Sequence, residues 1–156
     1  MIPIKKLVVP VLVFYFFVDV QGTFYYDCED VTTLGKVQSL AVINCTSEEP
    51  TSKCRLRRGA NTTIDLTFKS DVDLDAIKVV VHGIIAGESK SFALPNSNGC
   101  NDSGLTCPVT KDSVVTYTTS LPVKKFYPKI SVDVKWELRS KDDKDIVCII
   151  IPSHLN

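Results

Sequence analysis

From Ile130 to Leu138 the chain places an apolar residue at every second position: Ile130, Val132, Val134, Trp136 and Leu138. Ser131, Asp133, Lys135 and Glu137 fill the gaps. A period of two belongs to a β-strand with one dry face and one wet face. The same period returns at Ile64, Leu66 and Phe68, set against Asp65 and Thr67, and at Val115 and Tyr117. Val37, Leu40 and Val42 carry it with a slip, which predicts a bulged strand between Val31 and Ile43. Ile77 to Ile85 is almost continuously apolar and β-branched, the pattern of a strand buried on both faces. Gly87 to Pro108 reads as one long connection, Lys141 to Asp145 as a charged hairpin turn, and Ile146 to Ile151 as the last strand. No window holds a sustained helical repeat. Turn signals recur about every ten residues, which favours an antiparallel β-sandwich.

The first 22 residues obey a different rule. A basic pair, Lys5 and Lys6, precedes the apolar run Leu7 to Val18, and small or polar residues follow around Gly22. This is the pattern of a secretory signal peptide. The run is too short to span a bilayer, Pro10 interrupts it and Asp19 ends it. Residues 1–22 are therefore expected to be the leader and residues 23–156 a single secreted domain. Removing Lys5, Lys6 and Asp19 from 18 basic and 18 acidic residues leaves a net charge of −1. That balance recruits neither nucleic acid nor an anionic membrane.

All six cysteines (Cys28, Cys45, Cys54, Cys100, Cys107, Cys148) lie beyond the leader, an even number in a chain bound for an oxidising compartment. They are expected to form three disulfides. Cys45 and Cys54, and likewise Cys100 and Cys107, are near enough in sequence to staple local loops, and Cys28 with Cys148 would then tie the ends. Spacing alone leaves the pairing open. A zinc site would want Cys-x-x-Cys knuckles, which the sequence lacks. Sequons at Asn44, Asn61 and Asn101 fit secretion, with Asn61 the best placed to carry glycan.

Candidate catalysts are scarce. His82 sits within a strand pattern beside Gly83, and His154 is the third residue from the C-terminal end of the sequence. No nucleophile elbow, phosphate-cradling glycine loop or zinc-protease helix is present, so neither catalytic residues, nor a metal, nor a cofactor is expected. Arg55, Arg57 and Arg58 read as a solvated basic loop. A sandwich clamped by disulfides can also keep its sheets apart around a dry cavity suited to a hydrocarbon ligand, although the same alternation describes a solid core.

Several separated motifs decide between these. KVVVHGIIAG (Lys78 to Gly87), NGCNDSGLTCPVTKD (Asn98 to Asp112), LPVKKFYPKI (Leu121 to Ile130) and the strand through Trp136 closely resemble the Niemann-Pick type C2 branch of the secreted lipid-recognition (ML) domain family, from about Asp27 to Pro152. The resemblance implies an all-β, immunoglobulin-like sandwich of two antiparallel sheets around a lipid cavity. It also implies the pairings Cys28–Cys148, Cys45–Cys54 and Cys100–Cys107.

Residues matching the family's gate are Phe92, Val123 and Tyr127, with Leu56, Ile64, Ile84, Ile130, Val132, Val134 and Trp136 deeper, and Lys124 and Lys125 on the rim. Where vertebrate members carry aromatic rings, this chain has Thr62 and Ile149, which implies a differently shaped pocket. The expected role is a monomeric, non-enzymatic carrier of a sterol or other hydrophobic lipid. It would hand its cargo to a membrane or a membrane acceptor protein, outside the cell or in the lysosomal or endosomal lumen. Recognition of bacterial envelope lipids of the lipid A type and chemosensory carriage are the alternatives.

Overall fold

The computed structural model describes residues 22–47 and 52–156, so the expected leader lies outside the described residues except for Gly22. Among the described residues the regular elements are all strands: β1 (Tyr26–Asp27), β2 (Gly35–Ile43), β3 (Cys45–Ser47), β4 (Cys54–Leu56), β5 (Asn61–Ser70), β6 (Lys78–Ile85), β7 (Glu88–Phe92), β8 (Val114–Pro122), β9 (Ser131–Arg139) and β10 (Asp145–Leu155). They form two sheets. The larger runs β3-β4-β10-β9-β6-β7, with β1 also alongside β10, and the smaller runs β2-β5-β8. This is the expected all-β sandwich, and the three disulfides pair as the resemblance implies.

The pairings are antiparallel with one exception. β4 runs parallel to the end of β10, aligning Cys54 with Ser153 and Leu56 with Leu155. β10 is longer than its apolar run suggested because, after Pro152, Ser153 and Leu155 stay buried and the ladder to β9 continues to His154. In β2 the register slips between Val37 and Ser39, the bulge that its apolar spacing predicts.

Two expectations need correction. The β6 segment is buried on one face only. Val79, Val81 and Gly83 point inward, while Lys78 is exposed and Val80, His82 and Ile84 are partly so. Its β-branched run therefore reflects β-propensity as well as burial. The supposed long connection after Gly87 begins with β7, an exposed edge strand of polar residues pairing with β6 from Ile85↔Glu88 to Val81↔Phe92. Hydrophobic periodicity cannot mark a strand that buries neither face.

The interior is not uniform. At one end the large side chains Leu40, Leu66, Phe68, Tyr117, Leu138 and Ile146 fill the space between the sheets completely. Toward the other end the inward positions carry smaller or β-branched residues, including Val42, Thr62, Ile64, Val81, Gly83, Val132 and Val134. The same β5 alternation thus packs solidly at Leu66 and Phe68 and leaves room at Thr62 and Ile64.

On the outer face of the larger sheet, Glu137 is 1% exposed and surrounded by charge. Arg139 Nη2 donates to it at 2.9 Å, Lys135 Nζ lies at 3.2 Å and His82 Nδ1 at 3.4 Å. His82 is thus part of a structural charge cluster turned away from the interior. Cys148 and Asp145 lie close by, but Cys148 is bonded to Cys28 and the carboxylates face cations, which makes the group an ion-pair network and not a metal-ligand set. Burial pushes the Glu137 carboxyl up, and Arg139 and Lys135 together overcome it, leaving it below the ordinary value. Asp145 goes the other way, raised by burial and then by the Glu137 charge, which Arg139 and Lys135 only partly offset.

A raised carboxylate pKa means that ionising Asp145 costs stability, a cost present above its folded pKa and gone below its ordinary value near 3.8. Asp145→Asn is therefore expected to raise the melting temperature at pH 7. The gain should shrink to nothing near pH 3, as read by calorimetry across pH.

Candidate functional site

The loosely filled end holds an open-mouthed cavity of about 160 Å³. Its walls come from both sheets: Thr62 and Ile64 of β5 and Leu121 and Pro122 of β8 on one side, and Leu56, Val81, Val132, Val134, Trp136, Ile151 and Leu155 on the other. The hydroxyls in this wall are already committed. Thr62 Oγ1 donates to the Ile43 carbonyl at 2.9 Å, and Ser153 Oγ to the Ile151 carbonyl at 3.0 Å. A contained molecule therefore meets mostly carbon, while the lining residue Trp136 keeps a buried Nε1–H without a hydrogen-bond partner. The space is smaller than the roughly 300 Å³ at which pockets for drug-sized ligands begin. The space opens to solvent past the exposed Phe92, Pro122 and Lys124, and a lipid would have to widen it.

The mouth is built from rings. Tyr127 meets Phe92 edge to face with centroids 6.1 Å apart, and Phe126 meets Tyr127 in the same manner at 5.1 Å. Phe92 can lie there because Gly83 has no side chain, for a Cβ at Gly83 would come within 2.5 Å of Phe92 Cε2 and 3.2 Å of Val132 Cγ2. The loop carrying Tyr127 is held from outside by Arg58. Its Nη1 donates to the carbonyls of Lys125 (3.0 Å) and Tyr127 (2.8 Å), and its Nε to that of Asn156 (3.2 Å). Arg58 is thus a brace for the mouth, not part of a solvated cluster. Charge spacing in the sequence could not reveal this, because its partners are backbone oxygens nearly 70 and 100 residues away.

Of the residues expected around a pocket, Leu56, Ile64, Phe92, Val123, Lys124, Tyr127, Val132, Val134 and Trp136 border this cavity. Three others do not. Strand parity turns Ile84 outward with His82, Ile130 packs against the core before β9 begins, and Lys125 points to solvent. Thr62 lines the cavity, whereas Ile149 is fully buried in the solid core opposite Trp136. Val42, Val81, Ile151 and Leu155 were missed as lining residues, although the inward parity of β6 and the extension of β10 would have located three of them. Asn44, Asn61 and Asn101 are all exposed, and the Asn44 amide already donates to the Asn61 carbonyl at 2.9 Å.

Comparison with known proteins fits this geometry. The family model of the ML domain matches residues 22–155. The chain is 43% identical over 139 residues to the ecdysteroid-regulated 16 kDa protein of Manduca sexta, covering 89% of this chain and 92% of that one. It is 39% identical over 131 residues to NPC intracellular cholesterol transporter 2 homolog a of Drosophila melanogaster, covering 84% and 86%. The crystal structure of a Niemann-Pick type C2 protein from Japanese carpenter ant superposes with a TM-score of 0.78 at 27% identity, covering 85% of this chain and 99% of that one. The chain belongs to the ML domain family, as a Niemann-Pick type C2-like member.

Proposed function

We propose that this protein is a secreted carrier that encloses a sterol or similarly hydrocarbon-rich lipid between its sheets and delivers it to a membrane or a membrane acceptor protein. The observation that carries this reading is the mostly apolar cavity between the sheets, with aromatic rings at its mouth and with the hydroxyls of Thr62 and Ser153 satisfied by the wall itself. Such a site rewards apolar area and offers little to polar ligands. At about 25 cal/mol per Å², a few hundred Å² of buried lipid supplies on the order of 10 kcal/mol. The relatives named as cholesterol transporters support a sterol as cargo. Ring edges at the mouth suit the entry of a flat ring system, and β-branched walls behind them hold a fixed shape. Residues 1–22 would be the leader, and the site of action the extracellular space or the endosomal and lysosomal lumen.

The test is saturable uptake of a fluorescent sterol such as dehydroergosterol by the disulfide-intact protein, together with mass spectrometry of lipid co-purifying with it. A stoichiometric sterol confirms the reading. Absence of uptake, or a co-purifying lipid that sterol cannot displace, overturns it. Competition with lipopolysaccharide separates sterol carriage from recognition of envelope lipids.

A further inference from the structure

Trp136 is the single tryptophan of the chain and is fully buried. Its place on β9 puts it at the boundary between the two halves of the interior. Val132 and Val134 before it border the cavity, and Leu138 after it belongs to the packed end. Trp136 itself borders the cavity, while its ring lies 6.3 Å from that of Tyr117 on the packed side, tilted by 49°. Its ladder partners are hydrocarbon, Val81 on β6 and Ile149 on β10, and the Tyr117 hydroxyl is bonded to Thr119. Trp136 Nε1–H is therefore left without an acceptor.

The other buried side-chain atoms without a hydrogen bond, among the described residues, all belong to the outer-face charge cluster. His82 Nδ1 faces Glu137 Oε2, and Arg139 Nε faces Asp145 Oδ1. Trp136 Nε1 has neither a charge nor a partner, and it sits in the wall of the candidate binding site. Native interiors rarely leave such a donor unpaired, because it has lost water and gained nothing. Solvent does not reach it in the present form, so an acceptor arrives only with a molecule that widens the space, as any lipid must.

We infer that the preferred cargo carries one acceptor oxygen at the end that enters first, and that this oxygen takes the Trp136 Nε1–H. The inference rests on the carrier reading and narrows its cargo to hydrocarbon-rich lipids with a ketone, aldehyde or ester carbonyl at the leading end. An indole N–H only donates, and a carbonyl only accepts. A hydroxyl there would bring in a second proton that needs an acceptor of its own. For a sterol the slimmer end is the side chain, and a space of about 160 Å³ takes that end first. The matching molecule is then a sterol oxidised to a ketone on its side chain, and not cholesterol, whose side chain is hydrocarbon throughout.

The experiment compares cholesterol with an analogue bearing a side-chain ketone, using the whole disulfide-bonded protein. With one tryptophan in the chain, a proton–nitrogen correlation spectrum of isotope-labelled protein holds a single indole N–H signal, which reports on this donor alone. The ketone is expected to move that signal downfield, where cholesterol does not, and to bind about tenfold more tightly, the effect of one well-made buried hydrogen bond. Trp136→Phe keeps a ring and drops the N–H, and should abolish the preference between the two sterols. A preference that survives this substitution overturns the assignment of the donor. In the unaltered protein, a ketone that binds no tighter than cholesterol, or that leaves the indole signal where cholesterol leaves it, overturns the inference without any variant having to fold. Binding of cholesterol and ketone with equal affinity leaves the carrier reading standing, whereas failure of both to bind overturns that reading and this inference with it.

Discussion

Val123→Asp is expected to raise the apparent Kd for sterol by more than about 100-fold, beyond the range of a fluorescence titration. Val123 is 7% exposed and borders the cavity beside the gate. Its backbone is fixed by bonds to both sides, its N–H to the Ala60 carbonyl and its carbonyl to the Gly59 N–H, so the new carboxylate cannot swing clear by moving the loop. A bound lipid would strip water from that charge and offer no partner, a penalty of several kcal/mol, and each ~1.4 kcal/mol is tenfold in affinity. Val123→Thr keeps the shape and adds one hydroxyl, and should lose about tenfold. Circular dichroism that matches the wild type would place the loss in the site and not in the fold. Normal uptake by Val123→Asp would move the entrance elsewhere.

Replacing Cys28 and Cys148 together by serine is expected to cost about 5 kcal/mol, the chain-entropy value for a loop of this length. The bond spans 120 residues in sequence and joins the segment carrying β1 to the middle of β10. A domain stable by roughly 5–15 kcal/mol would be left marginal or unfolded. The local bonds close much shorter loops, with sequence separations of 9 for Cys45–Cys54 and 7 for Cys100–Cys107. Each should cost only about 2.5 kcal/mol when removed. Denaturant midpoints for the three double variants test the order. Equal losses would show that native-state contacts, and not loop length, set the contribution of each bond.

Side-chain alternation made most of the sandwich legible, because a half-buried strand writes its two faces directly into the sequence. Thr62 to Phe68 and Ile130 to Leu138 were read in that way, within a residue or two of β5 and β9. β7 was not, because Glu88 to Phe92 is exposed along its whole length. Ile84 was placed in a pocket wall by the resemblance, and its apolar run has no parity of its own to say otherwise; its partners Asp133 and Ser89 fix which way it points. The cavity follows from side-chain size at inward positions of strands far apart in sequence, and pairing registers are what bring those positions together. The motif around Tyr127 carried the site because resemblance supplies such registers ready-made. Arg58 and Gly83 act through backbone oxygens and through a missing atom, neither of which leaves a pattern in one sequence.

The split interior separates two properties that most proteins inherit together. The packed end, with Phe68, Tyr117 and Leu138, concentrates the largest fully buried side chains away from the cavity. On the proposed carrier reading, exchanges among Thr62, Val42, Val81 and Val132, which line the cavity, would bear on cargo choice. On that reading, a lineage built on this plan could vary its ligand through a handful of wall positions. Diversification of ligand within one scaffold is then a property of how volume is distributed along the strands.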